Sequence, residues 1–513
     1  MFKCIFKSSR SFTFELDNKD IYYSKNPFDV LVNDQVVLKE VKTNVFSIYH
    51  LEPKTTYRVS VLGESITFET DMESTSLNVK DFGAIGDGIK EDTQAIQMAI
   101  MAAPKQARVF IPEGTYLTGP IFLKSDLLLE LDEKATLIYL TDRNKYPQMP
   151  SHTVFHDGTN YELGTWEGTP DNQFASMITG FNVENTKVIG QGVFDGNAQN
   201  GDWWENHRVK RGAWRPNGLY LAHSNNVGFQ GITVKNTPSW NLHPYFSNNL
   251  DFIDMVIESP KESPNTDGCD PESCKDVNII GVNFSVGDDC IALKSGKYEM
   301  GRKYKTPCEN VYIRNCIMQF GHGAVVLGSE MAGGMKNIFV TQCYFNQTDR
   351  GLRIKTRRGR GKDAIIDGIT FENIYMKDVL TPLVMNMYYF CDPDGKTEYV
   401  WSKETHPVDE RTPYLGEFTF KDMVCENAHV SAGFFYGLPE QPIKKISLEN
   451  IKFTYSNEPI ADVPAMMSFL EPRIKQGLYF NHVDEVYVKN VDIQGHDGKA
   501  VELINVKHSD IQL

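Results

Sequence analysis

Two adjacent carboxylates, Asp288 and Asp289, stand between Gly287 and a strand-like run, Cys290-Ile-Ala-Leu-Lys294. A third, Asp267, lies 21 residues before Asp288 in Asn265-Thr266-Asp267-Gly268. Ile291 and Leu293 alternate with Ala292 and Lys294, the pattern of a strand with one buried face. A regular strand would drive one of two neighbouring aspartates into the core, unpaired, at a cost of several kcal/mol. Gly287 therefore predicts a turn that lets both side chains reach the surface. If 21 residues make one coil of a stacked architecture, Asp267 comes within about 4.8 Å, one strand spacing, of the pair. Carboxylates packed that closely raise at least one pKa, leaving a protonated acid beside an ionised base. Hydrolysis of a glycosidic bond requires that combination. The competing reading is that all three aspartates cap turns, a common use of Asp at β corners.

Two further segments bear on the substrate. Arg353 and Lys355 are spaced i, i+2 in Arg350-Gly-Leu-Arg353-Ile-Lys355, so a strand would point both to one face. Such a face grips a carboxylate, bidentately where Arg contributes. His322, between Gly321 and Gly323, lies where backbone can approach a ligand closely, or else it bonds backbone within a turn. The run Arg350–Lys362 carries seven cationic residues. It reads as a solvated loop or, preferably, as a positive rim that draws a polyanion to the site.

The elements that must position these residues are short strands with a loose repeat. A polar residue followed by alternating apolar ones recurs at Asn185-Thr-Lys-Val188, Asn226-Val-Gly-Phe229, Asn249-Leu-Asp-Phe252, Asp276-Val-Asn-Ile279, Asn310-Val-Tyr-Ile313 and Asn337-Ile-Phe-Val340, with later copies at Lys445–Asn450 and Glu485–Asn490. Many copies are roughly 25–35 residues apart, a solenoid period, and hold no helix-length pattern. The fold predicted for residues 73–513 is thus all-β, a right-handed parallel β-helix with a polar residue bonding each corner. One helix opens it, with Asp92 or Thr93 as cap and Ala95, Ile96, Ala99 and Ile100 as an apolar stripe that covers the end of the stack. Residues 1–72 read as a small, fibronectin III-like β-sandwich. Strands are expected at Ser11–Leu16, Val36–Val41, Val45–Tyr49, Tyr57–Leu62 and Ser65–Thr70, with a turn at Lys25-Asn26-Pro27. Leu51-Glu-Pro-Lys-Thr-Thr-Tyr57 resembles a tyrosine corner.

Asn265-Thr266-Asp267, Asp288-Asp289, Gly321-His322-Gly323 and Arg353-Ile354-Lys355 occur in that order. The set resembles glycoside hydrolase family 28, the polygalacturonases, over about residues 77–510. The resemblance implies inverting hydrolysis of α-1,4-galacturonosyl bonds without metal or cofactor. It implies Asp288 as general acid, Asp267 and Asp289 as the pair activating water, His322 as support for the acid, and Arg353 and Lys355 as ligands of a galacturonate carboxylate. The family's late active-site tyrosine best matches Tyr389, with Tyr388 adjacent. Asn265 and His243 join the expected substrate contacts. Trp203-Trp204, Arg215-Pro-Asn-Gly and Pro238–Pro244 are similar to the exo-acting bacterial members, as is the leading module. An exo enzyme closes one end of its groove, and the aperiodic segment Tyr146–Asp171 is the candidate closure. Trp203, Trp204, Trp214 and Trp240 either stack on sugars or fill the core.

Net charge is −15, which excludes a general nucleic-acid binder. No apolar run reaches the roughly 20 residues of a membrane span. The expected partner is an acidic polysaccharide, with neither nucleic acid nor membrane. The chain as given shows no secretory leader, so a cytoplasmic location is expected unless a signal was removed. The nine cysteines show no metal-ligand spacing and read as buried free thiols. A rhamnogalacturonan or xylogalacturonan hydrolase, a pectate lyase and a non-catalytic carbohydrate-binding solenoid are the alternatives.

Overall fold

From Ser76 onward the short apolar strands stack coil upon coil, and the computed structural model describes residues 1–155 and 158–513. One stack of parallel strands includes Glu184–Gly190, Asn225–Gln230, Asn248–Ile253, Lys275–Ile280, Cys308–Arg314 and Met335–Thr341. A second includes Val193–Asp195, Thr233–Lys235, Val256–Glu258, Asn283–Val286 and Ile317–Phe320. A third joins Leu242, Cys269, Ile291, Val325, Leu352 and Leu383 in register. Long late strands such as Ile365–Lys377 and Gln476–Gln494 run round the corners and link the stacks into one sheet of 29 strands. The protein is a parallel β-helix whose Val, Ile, Leu and Phe fill one continuous core.

The repeat has a physical cause at its corners. Asn185, Asn226, Asn249, Asp276, Asn310 and Asn337 all adopt φ between 52° and 56°, the left-handed region that Asn and Asp tolerate best. Their side chains bond between coils and not only to the turn: Asn226 donates to Asn185 at 2.8 Å, Asn310 to Asp276 at 2.8 Å and Asn337 to Asn310 at 3.1 Å.

The opening helix spans Thr93–Ala102 and buries Ala95, Ile96, Ala99 and Ile100 against the core. Asp92 occupies the cap position, but its carboxylate accepts from Ile85 N and Gly86 N instead of from the helix.

The N-terminal module is a β-sandwich. Phe2–Lys7, Phe12–Leu16 and Val45–Ile48 form one sheet; Tyr23–Val32, Gln35–Thr43, Thr56–Val61 and Glu64–Glu69 form the other. The tyrosine corner is present, with Glu52 N donating to Tyr57 Oη at 2.8 Å. Lys25-Asn26-Pro27 is not a turn. It lies inside the strand Tyr23–Val32, where the register slips between Tyr23 and Phe28, so Pro27 removes no ladder bond. The module lies along the flank of the β-helix. Phe6 and Val45 pack on Leu128, Ile189, Ile253 and Ile280. Buried Glu15 accepts from Arg314 at 2.7 Å and Asn315 at 2.9 Å. Gly231 makes room for this contact: at φ 82°, a Cβ there would meet the Tyr49 hydroxyl at 2.1 Å.

Candidate active site

The third stack carries the site on its outer face. The parallel bridge Cys269↔Ile291 makes the local coil 22 residues, so Asp267 is in register with Asp289, not with Asp288 as the 21-residue gap predicts. The chain bends at Gly287 and Asp288 before the strand Ile291–Leu293 begins. Alternation fails there, so Cys290 enters the core while both carboxylates reach the groove. Gly287 is required: a Cβ would lie 2.4 Å from Ser263 O. One carboxylate oxygen from each of Asp267, Asp288 and Asp289 falls within 4.8 Å of the others.

Three cations give the carboxylates different characters. Lys355 Nζ lies 2.7 Å and Arg353 Nη1 3.3 Å from the two oxygens of Asp289. Burial pushes Asp289 up, but Lys355 and Arg353 overcome it and hold the carboxyl at about 2. Asp288 is pushed above the ordinary range by burial and by the Asp289 charge, with His322 opposing. Asp267 is held well up by burial and by neighbouring Asp270 and Asp288, with Lys294 opposing. Lys294 Nζ sits 3.1 Å from Asp270, 3.7 Å from Asp267 and 4.0 Å over the Trp240 ring. The three carboxyls are therefore pushed apart, Asp289 toward the ionised form and Asp288 and Asp267 toward the protonated one.

The flanking residues divide. His322 Nδ1 meets Asp349 at 2.8 Å, and that bond raises the imidazole pKa, burial opposing and Asp288 assisting. Tyr389 faces the site, its ring 5.7 Å from Lys355 Nζ, whereas the Tyr388 ring lies under Lys403 Nζ at 3.4 Å and edge-on to Tyr436. Asn265, half-buried at φ 54°, gives its amide oxygen to Arg215 Nη2 at 2.6 Å, leaving only its NH₂ for a ligand. His243 is a correction. It is fully buried, its two ring nitrogens meet Asn217 at 2.9 Å and Glu272 at 3.0 Å, and Trp240 covers it edge-on. It has no nitrogen left for substrate. The positive rim is a second correction. Arg357, Arg358 and Arg360 are at most 3% exposed. They are spent on Asp392, Asp394, Glu440 and backbone carbonyls. Desolvated guanidiniums need such partners, so these three form no exposed rim.

The sequence expectations also lack Asp270, Glu330 and Asp349. Lys294 carried a signal, since its parity with Ala292 places it on the outer face; the others come together only through coil stacking.

Beside Lys294 and His243 lies a stack of indoles. Trp166 stacks on Trp214 at 4.6 Å and on Trp240 at 6.0 Å, with Arg215 5.3 Å from its ring. It belongs to a hairpin in which Thr165–Trp166 pairs with Thr169–Pro170. At its tip Gly168 accepts from Lys297 N at 3.0 Å, and a Cβ on Gly168 would strike Glu330 at 2.7 Å. This hairpin lies in the expected closure Tyr146–Asp171, of which residues 156 and 157 lie outside the described residues. Trp203 instead fills a satellite core with Tyr146 and Phe174.

Among the described residues, Asp267, Asp288 and Asp289 are also the set whose oxygens could surround a cation. Lys355, Arg353 and Lys294 already supply positive charge there. All nine cysteines are free thiols, seven of them buried. No helix among the described residues is long and apolar enough to cross a membrane.

Residues 135–459 match glycosyl hydrolases family 28. The chain belongs to that family. Residues 76–138 match a second family described as rhamnogalacturonase A/epimerase, pectate lyase-like. This glycoside hydrolase is 31% identical over 388 residues to a probable polygalacturonase of Vitis vinifera, covering 73% of this chain and 74% of the relative. It is 26% identical over 491 residues to the exo-poly-alpha-D-galacturonosidase of Dickeya chrysanthemi, covering 85% of this chain and 77% of that one. The structure of a family 28 exopolygalacturonase from Yersinia enterocolitica aligns over 100% of this chain and 99% of its own, with TM-score 0.75 and 19% identity, a likeness of fold that includes the leading module. The cytoplasmic expectation finds no support among these relatives.

Proposed function

We propose that this family 28 enzyme hydrolyses α-1,4-galacturonosyl bonds of polygalacturonate from a chain end, with inversion. The observation that carries the reading is Asp289 locked between Lys355 and Arg353 while burial and like charge push Asp288 and Asp267 beside it toward the protonated form. Asp288 donates its proton to the glycosidic oxygen as the C1–O bond breaks. Water held by Asp267 and Asp289 attacks C1 from the other face and passes its proton to Asp289. Arg353 and Lys355 hold a uronate carboxylate at the same place.

The carboxyls are closer than the roughly 6.5–9.5 Å of most inverting glycosidases, and spacing alone fits retention better. The charge pattern favours inversion. A carboxylate held at about 2 by two cations is a poor nucleophile, yet it still orients and polarises a water. Proton NMR of the first product decides this. The inverted β-anomer is expected; an α-anomer released first would overturn the stereochemical part.

Chain-end action is supported by the Trp166 hairpin and Trp240, which cover the floor where His243 lies. Product analysis in the first moments of digestion tests it. One short product is expected, and a ladder of sizes would sink it. A lyase would leave an ultraviolet-absorbing double bond, which hydrolysis does not form.

A further inference from the structure

Beyond Arg353 the floor is crossed by a strap, residues 462–473, closed at its base by backbone bonds between Asp462 and Arg473. The strap is fastened to the site itself. Arg350 donates to Val463 O at 2.8 Å and Pro464 O at 3.0 Å. Arg353 Nη2 meets Met466 Sδ at 2.7 Å, Asn386 donates to Met466 O at 2.9 Å, and Met467 bridges to Tyr389. Ala465 and Met467 are the strap's own buried residues.

Two residues past Met467 the strap presents Phe469, 82% exposed, at φ 62°. An exposed phenylalanine in the left-handed region is doubly unfavourable, by hydration and by backbone sterics. Such strain persists where the surrounding structure imposes it, commonly at ligand clamps. Half-buried Trp401 meets the Phe469 ring edge-on, centroids 5.4 Å apart at 89°, and braces it from a separate segment. Two residues of extended chain span at most about 7 Å, so the pair stands beside the residues that hold the scissile sugar.

We propose that Phe469 and Trp401 form a further sugar-binding platform for the galacturonan chain leaving the site, beyond Arg353 and Lys355. The indole stack at Trp166 and Trp240 leaves this side for the uncut polymer, and the strap joins the platform to Arg353 and Tyr389. Aromatic faces stack on the apolar faces of pyranose rings while ring carboxylates stay in water. The inference rests on the galacturonan reading of the site.

The test compares Phe469→Ala and the Phe469→Ala/Trp401→Ala double variant with the wild type on polygalacturonate and on trigalacturonate. Phe469 is exposed, so its truncation leaves the fold standing. For polymer, KM is expected to rise about 5- to 10-fold with kcat held, the size of one lost stacking contact. Trigalacturonate, which extends at most one sugar past the residues that hold the scissile one, should lose less than the polymer. Equal loss on both substrates, or no change on either, overturns the platform and leaves the galacturonan reading intact. Retardation in gels containing polygalacturonate reads binding without turnover. A wild type that is retarded more than Phe469→Ala but hydrolyses neither substrate keeps the platform and sinks the hydrolase reading. Equal retardation sinks the platform whatever the turnover.

Discussion

Lys355→Met removes a charge and little volume from the pair that keeps Asp289 ionised. Asp289 is held at about 2, against an ordinary 3.8, although burial pushes the other way. That difference corresponds to ~2 kcal/mol in favour of the ionised form. It is a lower bound on what Lys355 and Arg353 supply together, since they first cancel burial. Losing Lys355 leaves burial opposed by Arg353 at 3.3 Å, and the Asp289 pKa rises. If Asp289 is the base, kcat/KM falls on the acid side, by about 10-fold for each pH unit below the raised Asp289 pKa. The acid limb of the pH profile then moves up, from below pH 3 in the wild type into the carboxylate range. Stability follows the same sign. A depressed carboxyl pKa contributes stability that is complete above 3.8 and is lost as pH falls through about 2. The melting difference between wild type and variant should therefore be largest near neutrality and vanish toward pH 2. Reducing-end assays and melts from about pH 2 to 8 measure both. An unmoved acid limb, with only KM raised, would refute the claim that Lys355 sets the charge of Asp289 and reduce it to a carboxylate grip.

Asp288→Asn should lower turnover by about 10²–10⁴ while binding of oligogalacturonate, read by calorimetry, stays within a few-fold; unchanged turnover removes Asp288 from the acid role. Wild-type activity should survive a chelator, because Lys355, Arg353 and Lys294 fill the place of a cation; loss with chelator and recovery with added metal would show that the trio binds an ion. Glu15→Gln weakens the buried contact to Arg314 and should lower the melting temperature by an amount worth about 1–3 kcal/mol, read by calorimetry with kcat unchanged. Gly231→Ala puts a methyl group at φ 82° against Tyr49 and should destabilise by more than about 1 kcal/mol, with proteolysis of the N-terminal module as the sensitive readout.

Much of this was open to sequence reasoning because it depends on local rules. The helix stripe Ala95, Ile96, Ala99 and Ile100 is periodicity alone. The corner asparagines are a backbone requirement, since few other residues accept φ near 55° at every coil. Gly287 before two aspartates announced a break in alternation, and Arg353 with Lys355 announced a shared face. Tyr57 declared its corner through its spacing from Glu52.

Other features depend on what lies across the stack, which no local pattern records. Asp267 meets Asp289 because the coil is 22 residues long, a length set by how the turns pack. Tyr389 and Tyr388 are chemically alike, and only the strap and Lys403 decide which one faces Lys355. Arg357, Arg358 and Arg360 look like a solvated rim in one dimension and are buried ion pairs in three, because Asp392 and Glu440 arrive from later coils. His243 reads as a groove residue by position and becomes a buried brace because Trp240 closes over it. By itself the sequence determined the β-helix, the three aspartates and the shared face of Arg353 and Lys355. Tertiary structure alone brought together the neighbours that pull their charges apart and stacked Trp166 on Trp240, because both follow from distances between coils that no spacing along the chain contains.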